Sequence, residues 1–264
     1  MEVILSRKGF DSCDGGCASP IMPDGTLLSL PIPERSKLKF TDIGYDGMTY
    51  DEIWEQLDPR SHWKTTCHLD PDIRPGIRLK PVKGWKPAFG QAGAAETHLE
   101  NQGVDIGDVF LFFGWFRQTE YTSDGKLRYV AGAPNLHIIY GYMQIGRIVS
   151  GKGKRAYSWH PHGQWNGEED NDTLYIPTKK LTINDQDMGY PGYGVLSYAR
   201  KRVLTAPGEK KSVWKLPPWF SNVELSYHSK KSFVDGYLHT VGRGQEFVIK
   251  DDRHLNKWVM SIIE

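Results

Sequence analysis

One long apolar segment, residues 109–116, restricts the possible folds more than any other part of the chain. Its residues are Val-Phe-Leu-Phe-Phe-Gly-Trp-Phe, so side chains on both sides of an extended strand would be apolar. Such a strand must be buried on both faces, which predicts the centre of a sheet. A second long segment, residues 137–149, predicts another strand that bends at Gly141. We expect the two strands to pair as neighbours.

Turn and cap signals supply the remaining predicted elements. Ser123, Asp124 and Gly125 predict a hairpin turn after the first long strand. Thr49 followed by Glu52 forms a capping-box pattern, which predicts a helix over residues 50–57.

Two further helices are predicted, at residues 92–102 and 252–263, the second with an apolar stripe along one side. The 28 glycines and 16 prolines require many turns between elements. The predicted fold class is α+β: one domain over residues 1–264 with a central, mostly antiparallel sheet, long Gly/Pro-rich loops and a few flanking helices.

The charge of the chain is balanced overall and uneven locally. Its 33 basic and 32 acidic residues give a formal charge of +1, so no global basic field indicates nucleic-acid binding. Residues 200–231, which we call the basic segment, carry eight Lys/Arg against two Glu. Trp214, Trp219, Phe220 and Tyr227 are interspersed among them. The segment is either a nucleic-acid surface or a solvated face with Trp214 and Trp219 packed inside.

The cysteines and the N-terminal residues indicate the cellular compartment of the protein. Cys13, Cys17 and Cys67 do not form an even disulfide framework, and a zinc site built on them would need a fourth ligand such as His68. The chain shows neither the apolar core of a signal peptide nor an 18-residue apolar run. These features predict a reduced, soluble, cytoplasmic protein without a membrane partner.

The loop after the first short apolar run is dense in chemically useful groups. The run at residues 2–5 predicts a strand, and Ser6, Arg7, Lys8, Asp11 and Ser12 follow it directly. A strand that opens into a Gly-rich polar loop places functional groups on a rigid support. The alternative is an exposed connection between strands.

Two histidine-containing segments share an alternating pattern. His68, Asp70 and Asp72 fall on one face of an extended segment, as do His160 and His162. Imidazoles with carboxylates act as bases with orienting partners or bind a divalent cation. The alternative for both segments is an exposed polar loop. We predict proton transfer here and assign no metal ligand.

The last candidate group lies near the C-terminus. Arg243 lies between two glycines, and Gln245 and Glu246 then begin a predicted strand. A carboxylate at this position, after a flexible loop, is well placed for catalysis. The alternative is an ordinary solvated glutamate at a strand end.

Several of these segments together resemble a known family. They are SRKGFDS at 6–12, GG at 15–16, HLDPD at 68–72, FFGWFR at 112–117 and GRGQEFV at 242–248. In combination they resemble the third family of nucleotide-modification-associated domains, which is associated with phage and bacterial systems that modify nucleic-acid bases. The resemblance covers essentially the whole chain and implies a role in DNA base modification or nucleotide processing, with a nucleotide or DNA as partner.

The predicted function is enzymatic: group transfer at the base, sugar or phosphate of a nucleotide. Asp11 and Glu246 are the predicted general bases or oxocarbenium stabilisers, and His68, Asp70 and His160 complete the catalytic set. Substrate contacts are predicted for nine residues: Ser6, Arg7, Lys8, Ser12, Asp72, Arg117, His162, Arg243 and Gln245. The residue types leave the cofactor, the substrate and the oligomeric state open.

Two alternatives accompany this prediction. One is ADP-ribosyl or glycosyl transfer that uses Arg7 and Glu246. The other is a non-catalytic module that binds modified DNA through the basic segment. Trp115 is either a stacking surface for a base or a core residue, and the core reading is favoured.

Overall fold

The structure is a computed structural model that describes residues 1–60, 65–164, 171–241, 246–250 and 253–264. Its described strands, in chain order, are β1 (Val3–Arg7), β2 (Ser19–Ile21), β3 (Ile32–Pro33), β4 (Gly44–Tyr45), β5 (Met48–Thr49), β6 (Cys67–His68), β7 (Phe89–Ala92), β8 (Val109–Tyr121), β9 (Leu127–Tyr129), β10 (Leu136–Val149), β11 (Asp172–Pro177), β12 (Lys180–Ile183), β13 (Gln186–Pro191), β14 (Tyr193–Val195), β15 (Val213–Trp214), β16 (Phe233–Val234), β17 (Tyr237–His239) and β18 (Glu246–Ile249). The α-helices are α1 (Tyr50–Leu57), α2 (Gly93–Asn101) and α3 (Leu255–Ile263). Short 3-10 helices span Phe40–Asp42, Gly151–Tyr157, Pro161–Gly163, Arg200–Arg202, Pro218–Asn222 and Lys230–Ser232.

The main sheet is built around β1, β8 and β10. Its principal order is β18-β1-β8-β10-β11-β7, with β2 and β9 also on β8, and β14 also on β10. Strand β1 runs parallel to β8, as does β2, whereas the other pairings of this sheet are antiparallel. Together with the helices, this sheet confirms the predicted α+β class with a mostly antiparallel sheet.

Alternating side chains of the central strands build a core on each face of the sheet. Val3 and Leu5 pack with Leu111 in a cluster that includes residues of α3. Ile4 faces the other way and packs in a second cluster that includes Phe110 and residues of α2. Because all of these side chains are essentially inaccessible to solvent, each contributes roughly 1.5–3 kcal/mol of hydrophobic stabilisation.

The sheet curls, and this curvature positions the candidate site. Strands β7 and β18 lie at opposite ends of the principal order. Nevertheless, Gln91 of β7 donates a hydrogen bond from Nε2 to Glu246 Oε1 of β18 at 2.5 Å. The two ends of the sheet therefore meet beside the C-terminal end of β1.

The local signals of the sequence place several elements well. Helix α1 spans Tyr50–Leu57, with both hydrogen bonds of the predicted capping box between Thr49 and Glu52. The predicted hairpin joins β8 to β9, and β10 has a bulge between Ile139 and Gly141. Helix α2 is shorter than predicted by one residue at each end, and α3 is described from Leu255.

The aromatic residues of the basic segment differ in burial, and Tyr227 is 49 % exposed. Trp214 is fully buried and packs edge-on against Phe113. Phe220 is also buried, and Trp219 stacks on it. Of the two interpretations of this segment, the structure supports the one with packed tryptophans: Trp214 lies in the core, and Trp219 is half-buried against it. None of the described helices is long and apolar enough to cross a membrane.

Candidate functional site

The end of β1 and the start of β18 bring one carboxylate and two donors together. The strand register pairs Ser6 with Glu246, although 240 residues separate them in the chain. Ser6 donates from Oγ to Glu246 Oε1 at 3.1 Å, and the Lys8 ammonium lies 3.2 Å from the same oxygen. Residues 6 and 8 share a face of the strand, so the extended backbone of β1 accounts for the arrangement.

Glu246 is a buried carboxylate in which Oε1 is hydrogen-bonded and Oε2 is not, among the described residues. Its side chain is 1 % exposed, and Oε1 accepts from Ser6 and Gln91 and forms an ion pair with Lys8. Oε2 is buried and has no hydrogen-bond partner among the described residues. A buried carboxylate is costly unless it is paired, so the Lys8 ammonium makes the charged form tenable. Oε2 is left with the capacity to accept a further hydrogen bond.

Asp70 is the second buried carboxylate of this group. Its side chain is 4 % exposed, and Oδ1 accepts from the Gly90 amide at 2.8 Å. His160 Nε2 lies 3.3 Å from Oδ1 without well-aligned hydrogen-bond geometry, and Lys8 Nζ lies 4.0 Å from Oδ2. Burial alone would raise the pKa of Asp70, but His160 and Lys8 together lower it below its ordinary value.

Two histidines face each other across this group. His68 and His162 approach with their Nε2 atoms 3.1 Å apart. Each ring is held from behind: Glu34 lies 2.9 Å from Nδ1 of His68, and Asp172 lies 2.6 Å from Nδ1 of His162. Burial lowers the pKa of His68, and its carboxylate neighbours only partly oppose this. Burial acts likewise on His162, but its hydrogen bond with Asp172 prevails and raises the pKa.

Gly90 and Lys154 support the second histidine. A Cβ at position 90 would lie 2.2 Å from the ring of His162, so only glycine permits this close approach. The Lys154 ammonium lies 3.0 Å from Oδ2 of Asp172, and its side chain is fully buried. Lys154 therefore helps fix the carboxylate that orients His162.

Some of these groups line a cavity of about 260 Å³, and Glu246 lies behind its wall. Its wall includes Lys8, Asp70, Gln91 and the two facing histidines, and it also includes Arg7 and Asp11. A wider groove of about 660 Å³ adjoins it and shares the lining residues Asp14, Ile32 and Glu34. The cavity is thus a polar recess at one end of an open groove, a geometry typical of small-molecule sites.

The structure brings together most of the residues singled out in the sequence. Ser6, Lys8, Glu246, Asp70, His160, His68 and His162 lie within the contacts just described. Arg7 and Asp11 lie on the cavity wall, where Asp11 Oδ1 also accepts from the amides of Cys13 and Asp14. Arg243 and Gln245 lie outside the described residues.

Three of the predicted residues lie apart from this group. Ser12 is exposed in the turn of the entry loop. Asp72 points away from His68 and Asp70, in contrast to the alternation predicted for an extended segment. Its Oδ2 accepts from Arg78 at 2.5 Å and from Trp85 Nε1 at 3.0 Å.

Arg117, the third of them, lines a separate cavity of about 340 Å³ with Trp115, and its guanidinium lies over the ring of Tyr129. The face of Trp115 is covered by Lys211, whose ammonium lies 3.5 Å from the ring centroid. A base could therefore stack on this face only if Lys211 moved away.

Sequence reasoning missed four members of the site: Gln91, Glu34, Lys154 and Asp172. Asp172 belongs to an acidic stretch that reads as a solvated turn, and Lys154 to a short basic stretch. No local signal distinguishes them from surface residues, because their partners come from distant parts of the chain.

Comparison with known proteins identifies the family of the chain. The sequence model of nucleotide modification associated domain 3 matches residues 2–250. The chain belongs to this family. The match includes all the described residues of the site, from β1 to Glu246 in β18. No curated protein and no solved structure matches the chain. Membership of the family places the chain among proteins associated with nucleotide modification.

Proposed function

We propose that this protein is an enzyme that modifies a nucleobase or nucleotide by group transfer, in a DNA modification system. The observation that carries the proposal is the buried Glu246 carboxylate, which contacts Ser6, Lys8 and Gln91. Lys8 and Gln91 line a polar cavity, so Glu246 lies directly behind its wall. Groups from five separate strands or loops contribute to this wall. Family membership supports a nucleotide or nucleobase as the substrate.

Glu246 is assigned the central chemical role. Oε1 is fixed by three donors, so the carboxylate is preorganised, and Oε2 is the oxygen with capacity to accept a substrate proton. The same oxygen is suited to stabilising positive charge that develops on a sugar ring. Preorganisation matters because a fixed carboxylate need not reorient during the reaction.

Lys8 and Arg7 are assigned to negative charge on the substrate. Both line the cavity, and Arg7 makes no ion pair with any residue that the structure describes. A guanidinium at a cavity wall is suited to a phosphate because it donates two parallel hydrogen bonds. Asp11, on the same wall, is left as a second carboxylate near the substrate.

The test compares nucleosides from DNA of cells that produce the protein or its variants. Glu246→Gln keeps the shape of the side chain and removes its basicity. Mass spectrometry should detect a modified nucleoside with the wild type and reduce it by about 100-fold or more with Glu246→Gln. Glu55→Gln is the matched control, since Glu55 is an exposed residue of α1.

Equal modification by Glu246→Gln and the wild type would refute the role of Glu246. Thermal unfolding of each variant shows whether a loss of product reflects loss of fold. Should Glu246→Gln fail to fold, Arg7→Gln tests the same cavity from its partly exposed wall.

Glycosyl or ADP-ribosyl transfer is the second candidate, and the buried Glu246 carboxylate favours it. Carboxylates stabilise oxocarbenium-like transition states in such reactions. Consumption of NAD by purified protein, lost in Glu246→Gln, would support this form of group transfer over the others.

A further inference from the structure

We propose that His68, Asp70 and His162 bind one divalent transition-metal ion of the Fe²⁺ or Zn²⁺ class. One ligand atom from each of these residues lies within 4.8 Å of the others. The inference goes beyond the proposed group transfer and does not depend on it.

The spacing of the two imidazoles matches that of ligands on a common ion. Their Nε2 atoms are 3.1 Å apart. Nitrogen ligands bind such ions at roughly 2.0–2.1 Å, so two of them at tetrahedral or octahedral angles lie about 3 Å apart. Asp70 then supplies a carboxylate oxygen from a side chain that is buried beside them.

The carboxylates behind the rings determine which nitrogen carries the proton. Asp172 is hydrogen-bonded to Nδ1 of His162, and the Glu34 carboxylate lies 2.9 Å from Nδ1 of His68. Carboxylates at these positions favour the Nδ1–H tautomers, in which both Nε2 atoms of the neutral rings are lone-pair donors. Two lone pairs that face each other at 3.1 Å repel unless a positive centre lies between them. Metal-binding histidines almost always have such a carboxylate or carbonyl partner on the second nitrogen.

The charges around the site leave room for a divalent cation. Four carboxylates form ion pairs with the histidines and lysines of the site: Glu34, Asp70, Asp172 and Glu246. They face only two ammonium groups, Lys8 and Lys154, among the described ion pairs of this network. With neutral imidazoles, two negative charges remain, and a divalent ion would balance them.

The donor set indicates the class of metal. Two imidazoles and one carboxylate suit a transition metal rather than Mg²⁺ or Ca²⁺, which prefer oxygen ligands alone. The same set with open positions occurs in non-haem Fe²⁺ sites and in catalytic Zn²⁺ sites. His68, Asp70 and His162 all line the cavity of about 260 Å³, so further coordination positions would face it.

The experiment measures metal binding by the full chain, without any assay of activity. Protein stripped with a chelator is titrated with Zn²⁺, with Co²⁺ and, without oxygen, with Fe²⁺, by calorimetry and by metal analysis after gel filtration. We expect one ion per chain, with Co²⁺ giving the visible absorption of a nitrogen–oxygen site. The relative affinities for Fe²⁺ and Zn²⁺ identify the metal within the class.

The variants separate this site from adventitious binding. His68→Asn and His162→Asn should each weaken binding by about 100-fold or more, whereas His239→Asn, at an exposed histidine, should bind as the wild type does. Glu34→Gln should weaken binding by about 10- to 100-fold. Because the Glu34 side chain is 54 % exposed, this variant should keep the fold even if the histidine variants do not.

Failure to bind any of the three ions at one per chain would overturn the proposal and leave the histidines sharing a proton. Unchanged affinity in both His68→Asn and His162→Asn would overturn it equally. Neither result bears on Glu246, whose test measures product, so the two proposals fail separately.

Discussion

The cleft around Glu246 and the basic segment at 200–231 are both rich in charged residues, but the structure places those charges differently. In the cleft, the charged groups are buried and paired: the side chains of Lys8, Glu246 and Lys154 are 9 %, 1 % and 0 % exposed. In the basic segment the charges of Lys230 and Lys231 are exposed, and the interspersed Trp214 is buried. The charge and aromatic content of a segment alone therefore do not show whether its charges will be buried and paired or exposed to solvent.

The difference arises from partners supplied by other parts of the chain. Lys8 is buried because β18 and the 67–72 region bring carboxylates to it. Among the described residues, the basic segment meets no comparable set of acids. Lys230 and Lys231 remain in water, and the buried Arg202 donates to backbone carbonyls instead of carboxylates. Trp214 and Phe220 of the same segment pack in the core. Buried ion pairs make a region sensitive to single charge changes, whereas solvated charges do not.

The largest expected effect is in the basic segment and concerns an aromatic residue. Trp214→Ala should destabilise the protein by about 4 kcal/mol, because the ring is fully buried against Phe113 and Phe247. Urea unfolding measures the change. Lys215→Ala, at the exposed neighbouring position, should change stability by less than about 0.5 kcal/mol. Similar losses in both variants would contradict the contrast drawn here.

The next effect concerns a charge in the cleft. Lys8→Met should destabilise the protein by about 3 kcal/mol, because it leaves Glu246 and Asp70 buried without their ammonium. Lys83→Met is the control, since Lys83 is exposed. A stability equal to that of the control would mean that the cleft charges are solvated, and the comparison would collapse.

The sequence predicted those elements whose deciding interactions join residues that are close together in the chain. Helix α1 and its capping box were predicted correctly because Thr49 and Glu52 act within one turn. Strands β8 and β10 were predicted because their apolar segments admit only burial on both faces. These signals are local, so a single sequence contains them.

The candidate site could be predicted only as a set of separate groups. The alternation of His68 with Asp70 and of His160 with His162 identified residues that the structure brings together. Their partner Gln91 comes from the far end of a curled sheet, and sheet curvature has no local signal. Asp72 does not join His68 and Asp70 as predicted, because it forms an ion pair with Arg78, six residues further along the chain.

A smaller effect is expected at Glu96, a buried carboxylate without an ammonium partner among the described ion pairs, in contrast to Glu246, which is paired with Lys8. Burial raises the pKa of Glu96 to about 7, and hydrogen bonds from Thr173 and Tyr175 offset only part of it. Its stability contribution is therefore fully present below about pH 4.5 and is lost as the pH rises through about 7. We expect Glu96→Gln to gain about 2 kcal/mol relative to the wild type between pH 4.5 and pH 8.

Unfolding curves of both proteins at several pH values measure this difference. Parallel pH profiles for the wild type and Glu96→Gln would show that Glu96 ionises normally. Glu55→Gln is the control, since Glu55 is an exposed residue of α1 outside the capping box and should not reproduce the gain at high pH.

The smallest expected effect tests whether the basic segment binds DNA at all. Exchange of Lys230 and Lys231 together for Gln should leave stability within about 0.5 kcal/mol of the wild type, since both side chains are solvated. A DNA-binding surface would instead lose affinity and about two units of salt-dependence slope, because each phosphate contact contributes about one. We expect no such loss, because Trp214 and Phe220 are buried, Tyr227 is stacked on His98, and the cavity lies elsewhere. Titration of a labelled DNA strand at several salt concentrations decides the question: a reduced slope in the double variant would make the segment a nucleic-acid surface and favour the binding-module alternative.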